Sequence, residues 1–235
     1  MNVILFTQKD LITSNKVRLQ DDRFLHIKKV HQSTIGNSVR LGEINGLMGS
    51  GVIHSLDDKG VDIEFSLTER PPKKLPLTLI LALPRPKALK RIIRTIAELG
   101  VTRLILINSY KVEKSYWSSP HLSEEKIQQY LIEGLQQAKD TVLPNIELKK
   151  LFKPFVEDEL PAIIKNTSAL VAHPNLGKPC PQTIDKPCTL VVGPEGGFTE
   201  YEIKKLLECG FEGIHLGERI LKVQTAVTAL IAKLY

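Results

Sequence analysis

Three stretches of this chain combine glycine, charge and the end of an apolar run. The first is Val191-Val192-Gly193-Pro194-Glu195-Gly196-Gly197-Phe198. An apolar run ends at Gly193, four residues turn sharply, and Thr199 with Glu202 then makes a capping box that starts a helix. Glycines at such a corner let a ligand approach the backbone, because no Cβ is in the way. The spacing is neither G-x-G-x-x-G nor G-x-x-x-x-G-K-[ST], which sets aside dinucleotide-fingerprint and P-loop chemistry. Glu195 is an acid in an otherwise apolar, glycine-rich loop: it either accepts hydrogen bonds from ribose hydroxyls or caps a nearby backbone. The second stretch turns at Gly217 and carries Arg219 and Lys222, positive charge for an anionic group. Gln224 and Thr225 follow it, ahead of the last helix, where Thr225 is equally an N-cap candidate. The third is the strand end at His173-Pro174, where a lone histidine is ordinarily a hydrogen-bonded structural residue. No Cys or His pair has ligand spacing, so metal catalysis is not expected. Cys180 and Cys188, in a proline-rich loop, read as incidental.

Elements must hold these stretches side by side. Residues 77–83 and 103–108 are buried-strand candidates, separated by a helix over 86–99 that Gly100 stops. A helix follows over 123–139, with Glu124 and Glu125 in its first turn. Strands are expected at 168–172, 189–193 and 211–217, a helix at 199–209 stopped by Gly210, and an apolar helix from Thr225 to the end. Alternating β and α elements predict a parallel sheet covered on both faces, and ligands in such sheets bind beyond the carboxyl ends of the strands. The first 70 residues differ. Short branched runs at 3–6, 38–46, 49–56 and 61–67, broken by glycine and Asp57-Asp58-Lys59-Gly60, predict a small antiparallel barrel or sandwich. A short helix is expected over 23–30. The proline-rich stretch 69–76 reads as a linker, which sets domains at 1–72 and 73–235. No internal repeat or low-complexity tract is visible.

Composition bounds the partners. With 235 residues, 42% hydrophobic and 25% charged, the chain is neither a disordered acidic tail nor a disulfide miniprotein. No uncharged apolar run approaches the ~20 residues of a membrane helix. The first eleven residues lack a basic start and a cleavage site, so no signal peptide is expected. Three scattered cysteines suit a reducing, cytoplasmic setting. The net charge of +6 is concentrated: residues 73–103 hold 8 basic and 1 acidic side chain, while residues 1–72 balance at 9 and 9. Lys87, Lys90, Arg91 and Arg94 share one helical face, and Leu89, Ile92, Ile93 and Ile96 share the other. That face is either a solvated stripe or one that meets the phosphates of a nucleic acid.

Taken together, the first two stretches resemble the bacterial RsmE family, 16S rRNA (uracil-N3) methyltransferases of the SPOUT class. The family pattern is roughly GPEGG[FL]…LGxRILRxETA. The first block matches throughout, and the second departs at Lys222, where arginine is usual, and at Gln224, where glutamate is usual. AELGV (97–101) resembles the family's TELGV block. The stretch 133–144 keeps Glu133, Gln137 and Pro144 of a further block, with Lys139-Asp140 in place of Gly-Arg. HIKKV (26–30) with Gly36-Asn37-Ser38-Val39 is similar to the pattern of the family's PUA-like domain, with His31 in place of an arginine and the usual Arg-Phe-Phe start missing.

The resemblance implies an α/β fold: a trefoil-knotted SPOUT domain behind a PUA-like β-barrel, assembled as a homodimer. It implies S-adenosylmethionine as cofactor, held by the loops carrying His173, Gly193, Pro194, Glu195, Gly196, Gly197, Leu216, Gly217, Ile220, Leu221 and Thr225. It implies 16S rRNA or the small ribosomal subunit as partner, gripped through Lys87, Lys90, Arg91 and Arg94, with no membrane and no metal. Methylation at uridine N3 requires the base to be flipped or unpaired, its N3 aligned, and the negative charge left by the departing proton stabilised. Arg219 and Lys222 are the candidates for that charge, and Glu195 for orienting ligand or base. Gln224 stands where the family glutamate could serve as a base, and an amide cannot take a proton at neutral pH. The competing readings are an RNA-binding SPOUT protein with weak or no catalysis, and a methyltransferase acting on another nucleotide.

Overall fold

The computed structural model describes residues 2–29 and 34–235. Val30, which ends the helix expected over 23–30, and His31, compared above with a family arginine, lie outside the described residues. The chain forms two compact units, one of residues up to Lys73 with Ile132–Leu143, the other of Lys74–Leu131 with Pro144–Tyr235.

The first unit contains strands β1 (Ile4–Phe6), β2 (Leu11–Thr13) and β3 (Lys16–Leu19), helix α1 (Asp22–Lys29), and strands β4 (Ser38–Glu43), β5 (Met48–Leu56) and β6 (Val61–Glu69). They make one six-stranded sheet in the order β1-β4-β5-β6-β3-β2. Its core is Ile4, Phe6, Val17, Leu19, Leu41, Ile53 and Ile63 from the strands, with Phe24 and Ile27 from α1. The sheet is not wholly antiparallel as expected, because β1 pairs with β4 in parallel. β2 and β3 are unforeseen. Val17 and Leu19 alternate with half-buried Lys16 and Arg18 over only four residues, too short a period to read. Gly49 sets how closely β5 approaches β6, since a Cβ there would lie 1.9 Å from the Ser66 carbonyl oxygen.

Residues 132–143 join this unit through hydrogen bonds that leave no periodic trace in the sequence. Asn45 N–H donates to the Thr141 carbonyl at 2.8 Å, Thr141 Oγ1 donates to the Gly46 carbonyl at 2.6 Å, and Leu143 N–H donates to Asn45 Oδ1 at 3.0 Å. Lys139, at the glycine position of the family block, holds a left-handed φ of 56°, a conformation that glycine adopts without steric cost. Asp140 beside it is buried and accepts from the backbone N–H groups of Thr141 and Val142.

The second unit carries strands β7 (Leu75–Ala82), β8 (Val101–Ile107), β9 (Asn145–Lys149), β10 (Ser168–Ala172), β11 (Lys178–Pro179), β12 (Cys188–Val192) and β13 (Glu212–His215). Every pairing among them is parallel, in the order β11-β13-β10-β12-β7-β8-β9. The helices that follow β7 are α2 (Pro86–Glu98), α3 (Glu124–Ala138, of which the residues from Ile132 belong to the first unit), α4 (Phe152–Pro154), α5 (Leu160–Ile164), α6 (Glu200–Glu208) and α7 (Val223–Leu234), with one π-helical turn, Phe155–Glu159, between α4 and α5. Leu79, Ile80, Leu81, Leu190 and Val191 on the central strands are 0% exposed, as continuous apolar runs in a doubly covered sheet require. α2 buries Leu89, Ile92, Ile93 and Ile96, each stabilising by about 1.5–3 kcal/mol relative to exposure. Gly100 closes α2 at φ +73°, and Gly210 closes α6 at φ +108°. α7 starts at Val223, with Lys222 as its N-cap, so Gln224 and Thr225 lie inside its first turn. Cys180 and Cys188 are buried free thiols, and burial pushes Cys188 up to about 12.

Candidate active site

The strand order brings the charged and glycine-rich stretches together. β13, β10, β12 and β7 are consecutive neighbours and run parallel, so their carboxyl ends fall along one edge. The loops leaving those four ends enclose a cavity of about 790 Å³. From β10 come His173, Pro174 and Asn175; from β12, Gly193 to Phe198; from β13, Leu216, Gly217 and Arg219 to Gln224; from β7, Arg85, Lys87, Ala88 and Arg91.

Each corner has its own local cause. Pro194 and Gly197 close a turn in which the Gly197 N–H donates to the Pro194 carbonyl at 2.8 Å, and Gly197 sits at φ +71°. Gly217 turns at φ +101° and donates its N–H to His215 Nδ1 at 3.1 Å. A Cβ at Gly197 or Gly217 would meet nothing within 4 Å, so both corners leave open space against bare backbone. The helix after the β12 corner is held by Glu202, which is 3% exposed. Its Oε2 accepts from the Thr199 N–H at 2.8 Å and the Thr199 hydroxyl at 2.9 Å, and its Oε1 accepts the Tyr110 N–H at 2.8 Å. Lys111 Nζ donates to the Gly196 carbonyl at 2.9 Å. Glu195 Oε1 accepts the Arg85 N–H at 3.1 Å, which realises the backbone-capping alternative and ties the β12 corner to the entrance of α2.

His173 is half-buried, and its Nδ1 accepts the Asn175 N–H at 3.3 Å. Burial, then the nearby Lys111 ammonium, hold its pKa below the ordinary imidazole value, so the ring is neutral at pH 7. Arg219 and Lys222 are exposed at the cavity rim and form no ion pair among the described residues. Ile220 between them is 81% exposed, an apolar side chain with no protein cover. Together with Arg85, Lys87 and Arg91 these cations line the cavity alongside a single carboxylate, Glu195.

Thr225 is the exception among the cofactor candidates. It does not line the cavity, because the early start of α7 turns it outward to an exposed position. The basic stripe divides as well. Lys87 and Arg91 line the cavity, Lys90 Nζ lies 5.1 Å above the Tyr130 ring, and Arg94 is not in the lining. Asn175, His215, Ala226 and Leu230 line it without having been singled out. Of these, only Asn175 had a readable cue, its place two residues after His173 at a strand end. Among the described residues no group of three His, Cys, Asp or Glu could hold a metal ion, and no helix is long and apolar enough to cross a membrane.

A parallel sheet with a cation-rimmed cavity at its carboxyl edge defines a class, and comparison with known proteins supplies it. Residues 71–235 match the RNA methyltransferase domain family. The chain is 31% identical to ribosomal RNA small subunit methyltransferase E of Treponema pallidum, over 99% of this chain and 90% of that one. It is 26% identical to ribosomal RNA small subunit methyltransferase E 1 of Borreliella burgdorferi, over 97% and 95%. The chain belongs to the ribosomal RNA small subunit methyltransferase E family. Its fold is shared with the Neisseria gonorrhoeae methyltransferase E solved bound to S-adenosyl methionine, at TM-score 0.75 and 21% identity over 97% of this chain and 95% of that one. A probable rRNA-methyltransferase of Porphyromonas gingivalis aligns at TM-score 0.73 and 23% identity, over 97% and 94%.

Proposed function

We propose that this protein methylates 16S rRNA at N3 of a uridine, using S-adenosylmethionine. The observation that carries the reading is the cavity itself, where glycine corners with open space against their backbone stand beside five cations and one carboxylate. Its walls fit an adenosyl group. Gly193, Pro194, Gly196, Gly197, Leu216, Gly217, Ile220 and Leu221 offer apolar surface and backbone edges, and neutral His173 adds no charge to oppose a sulfonium. When bound, S-adenosylmethionine supplies an electrophilic methyl group.

The chain's own residues then have three tasks. The corners position the cofactor. Arg219 and Lys222 stabilise the anion that the base becomes as N3 loses its proton, the same kind of electrostatic help an oxyanion hole gives. Lys87 and Arg91 hold phosphate at the cavity mouth, and the second oxygen of Glu195 is available to a ribose hydroxyl. Gln224 lines the cavity but cannot act as a base, so the proton leaves to solvent, favoured by the two cations.

Other parts of the reading rest on different support. A PUA-like role for residues 1–72 draws on the six-stranded sheet and its family-like segments. A trefoil knot in residues 73–235 draws on the shared fold and on Thr183 and Ile184, whose N–H groups donate to the Lys233 and Leu234 carbonyls at the end of α7. A homodimer follows from the resemblance, and a cytoplasmic location from an rRNA substrate and three free thiols.

Calorimetry with S-adenosylmethionine and mass spectrometry of 16S rRNA from a deletion strain test the proposal together. Micromolar cofactor binding and loss of one N3-methyluridine are expected. An unchanged methylation level removes the uridine assignment. Replacing Lys87 and Arg91 together by alanine is expected to weaken rRNA binding about 10-fold and flatten its logarithmic salt dependence by about 1.5, with cofactor affinity unmoved. Filter binding across a salt series reads both.

A further inference from the structure

Tyr110 is 83% exposed, yet its backbone is anchored. Its N–H donates to buried Glu202 at 2.8 Å, and the next residue, Lys111, donates from Nζ to the Gly196 carbonyl at 2.9 Å. A large aromatic ring is thus presented to water by a loop that two hydrogen bonds tie to the β12 corner and its helix. This loop leaves the carboxyl end of β8, on the same edge of the sheet as the cavity.

The neighbouring loop, after β9, continues the surface. Asn108 N–H donates to the Lys149 carbonyl at 3.0 Å, and the Phe152 ring centroid lies 6.4 Å from that of Phe198 in the β12 corner. Lys150 and Lys153 are exposed there. Among the described residues, Lys111, Lys150 and Lys153 form no ion pair with a carboxylate.

An exposed ring on one loop, with ammonium groups that form no ion pair on that loop and the next, suits unpaired RNA, whose bases stack on aromatic faces while its phosphates take the cations. A protein partner would require a broader apolar patch, and among the described residues of these two loops Leu151 is the only other large apolar side chain that is exposed. We infer that the loops after β8 and β9 form a stacking platform for the unpaired RNA flanking the target nucleotide, with Tyr110 under a base and Lys111, Lys150 and Lys153 along the backbone. The inference rests on the rRNA methyltransferase reading and adds the path the strand follows away from the cavity.

The test uses the full-length protein and a uridine-rich single-stranded oligoribonucleotide of about 16 nucleotides carrying 2-aminopurine. Fluorescence titration reads RNA binding, and calorimetry on the same preparations reads S-adenosylmethionine binding. Tyr110→Ala is expected to weaken RNA binding about 10-fold, within the range of one stacking contact. Tyr110→Trp restores affinity and keeps the 2-aminopurine quenching, a rescue that a merely structural tyrosine would not show. Lys150→Ala with Lys153→Ala lowers both affinity and salt dependence. Cofactor affinity stays at the wild-type value in all of them. Wild-type RNA affinity in Tyr110→Ala, or no rescue by Tyr110→Trp, overturns the platform while leaving the methyltransferase reading intact. Tyr110-dependent RNA binding by a protein that does not bind S-adenosylmethionine supports the platform and overturns that reading.

Discussion

Arg219→Ala is expected to slow methyl transfer to rRNA by about 10²- to 10³-fold while changing S-adenosylmethionine affinity by no more than a few-fold. The guanidinium lines the cavity, is exposed at its rim and has no carboxylate partner among the described residues, so its charge is available to the reacting base. In the proposed reaction at N3, a cation that meets the anion only as the proton departs acts on the transition state more than on the ground state. The effect therefore falls on kcat, with a smaller change in KM for rRNA. Arg219→Lys retains the charge but loses the planar fork, and about a tenth of wild-type activity is expected. Single-turnover assays on methylation-deficient small subunits measure both variants. A kcat unchanged in Arg219→Ala would assign the anion to Lys222 or to solvent.

Glu202→Ala is expected to cost about 2–4 kcal/mol, because it removes the capping box of α6 and leaves the Tyr110 N–H without its acceptor. For a protein of this size that lowers Tm by about 5–15 °C. Glu202→Gln keeps the shape and one acceptor oxygen and should lose about half as much. Glu200→Ala, exposed in the same first turn, should shift Tm by no more than about 2 °C. Differential scanning calorimetry with and without S-adenosylmethionine reads the series. The cofactor should raise Tm less in Glu202→Ala than in wild type, since the β12 corner is then less well held. Equal melting of Glu202→Ala and Glu200→Ala would mean that the buried carboxylate contributes nothing beyond its neighbour.

The second unit was largely legible because its signals are local. The apolar runs of β7, β8, β10 and β12, the capping box at Thr199 and the glycine stops at Gly100 and Gly210 each state their geometry within a few residues. The cavity was legible one step further, because in a parallel sheet every glycine corner after a strand opens on the same edge. What escaped depends on distant partners. β9 carries charges that its neighbours Arg103 and Glu159 satisfy, so it does not look like a strand in isolation. The parallel pairing of β1 with β4 brings together residues about 40 positions apart in the chain. α7 starts two residues before the Thr225 that the sequence offers as a start, because Lys222 caps it with extended backbone and no side-chain bond. Glu195 was legible as an acid at a corner, but its bond to Arg85 spans 110 residues.

The four walls of the cavity hang from four different strands, and the sheet joins those strands along their length, well below the rim. A substitution at the lip of one wall therefore leaves the ladder beneath it in place, and reaches another wall only where a rim bond joins the two, as that from the Arg85 N–H to Glu195 does. A rim side chain such as Lys222, which forms no ion pair among the described residues, can therefore be exchanged, and what the rim recognises altered, while the four-strand clasp beneath keeps its shape.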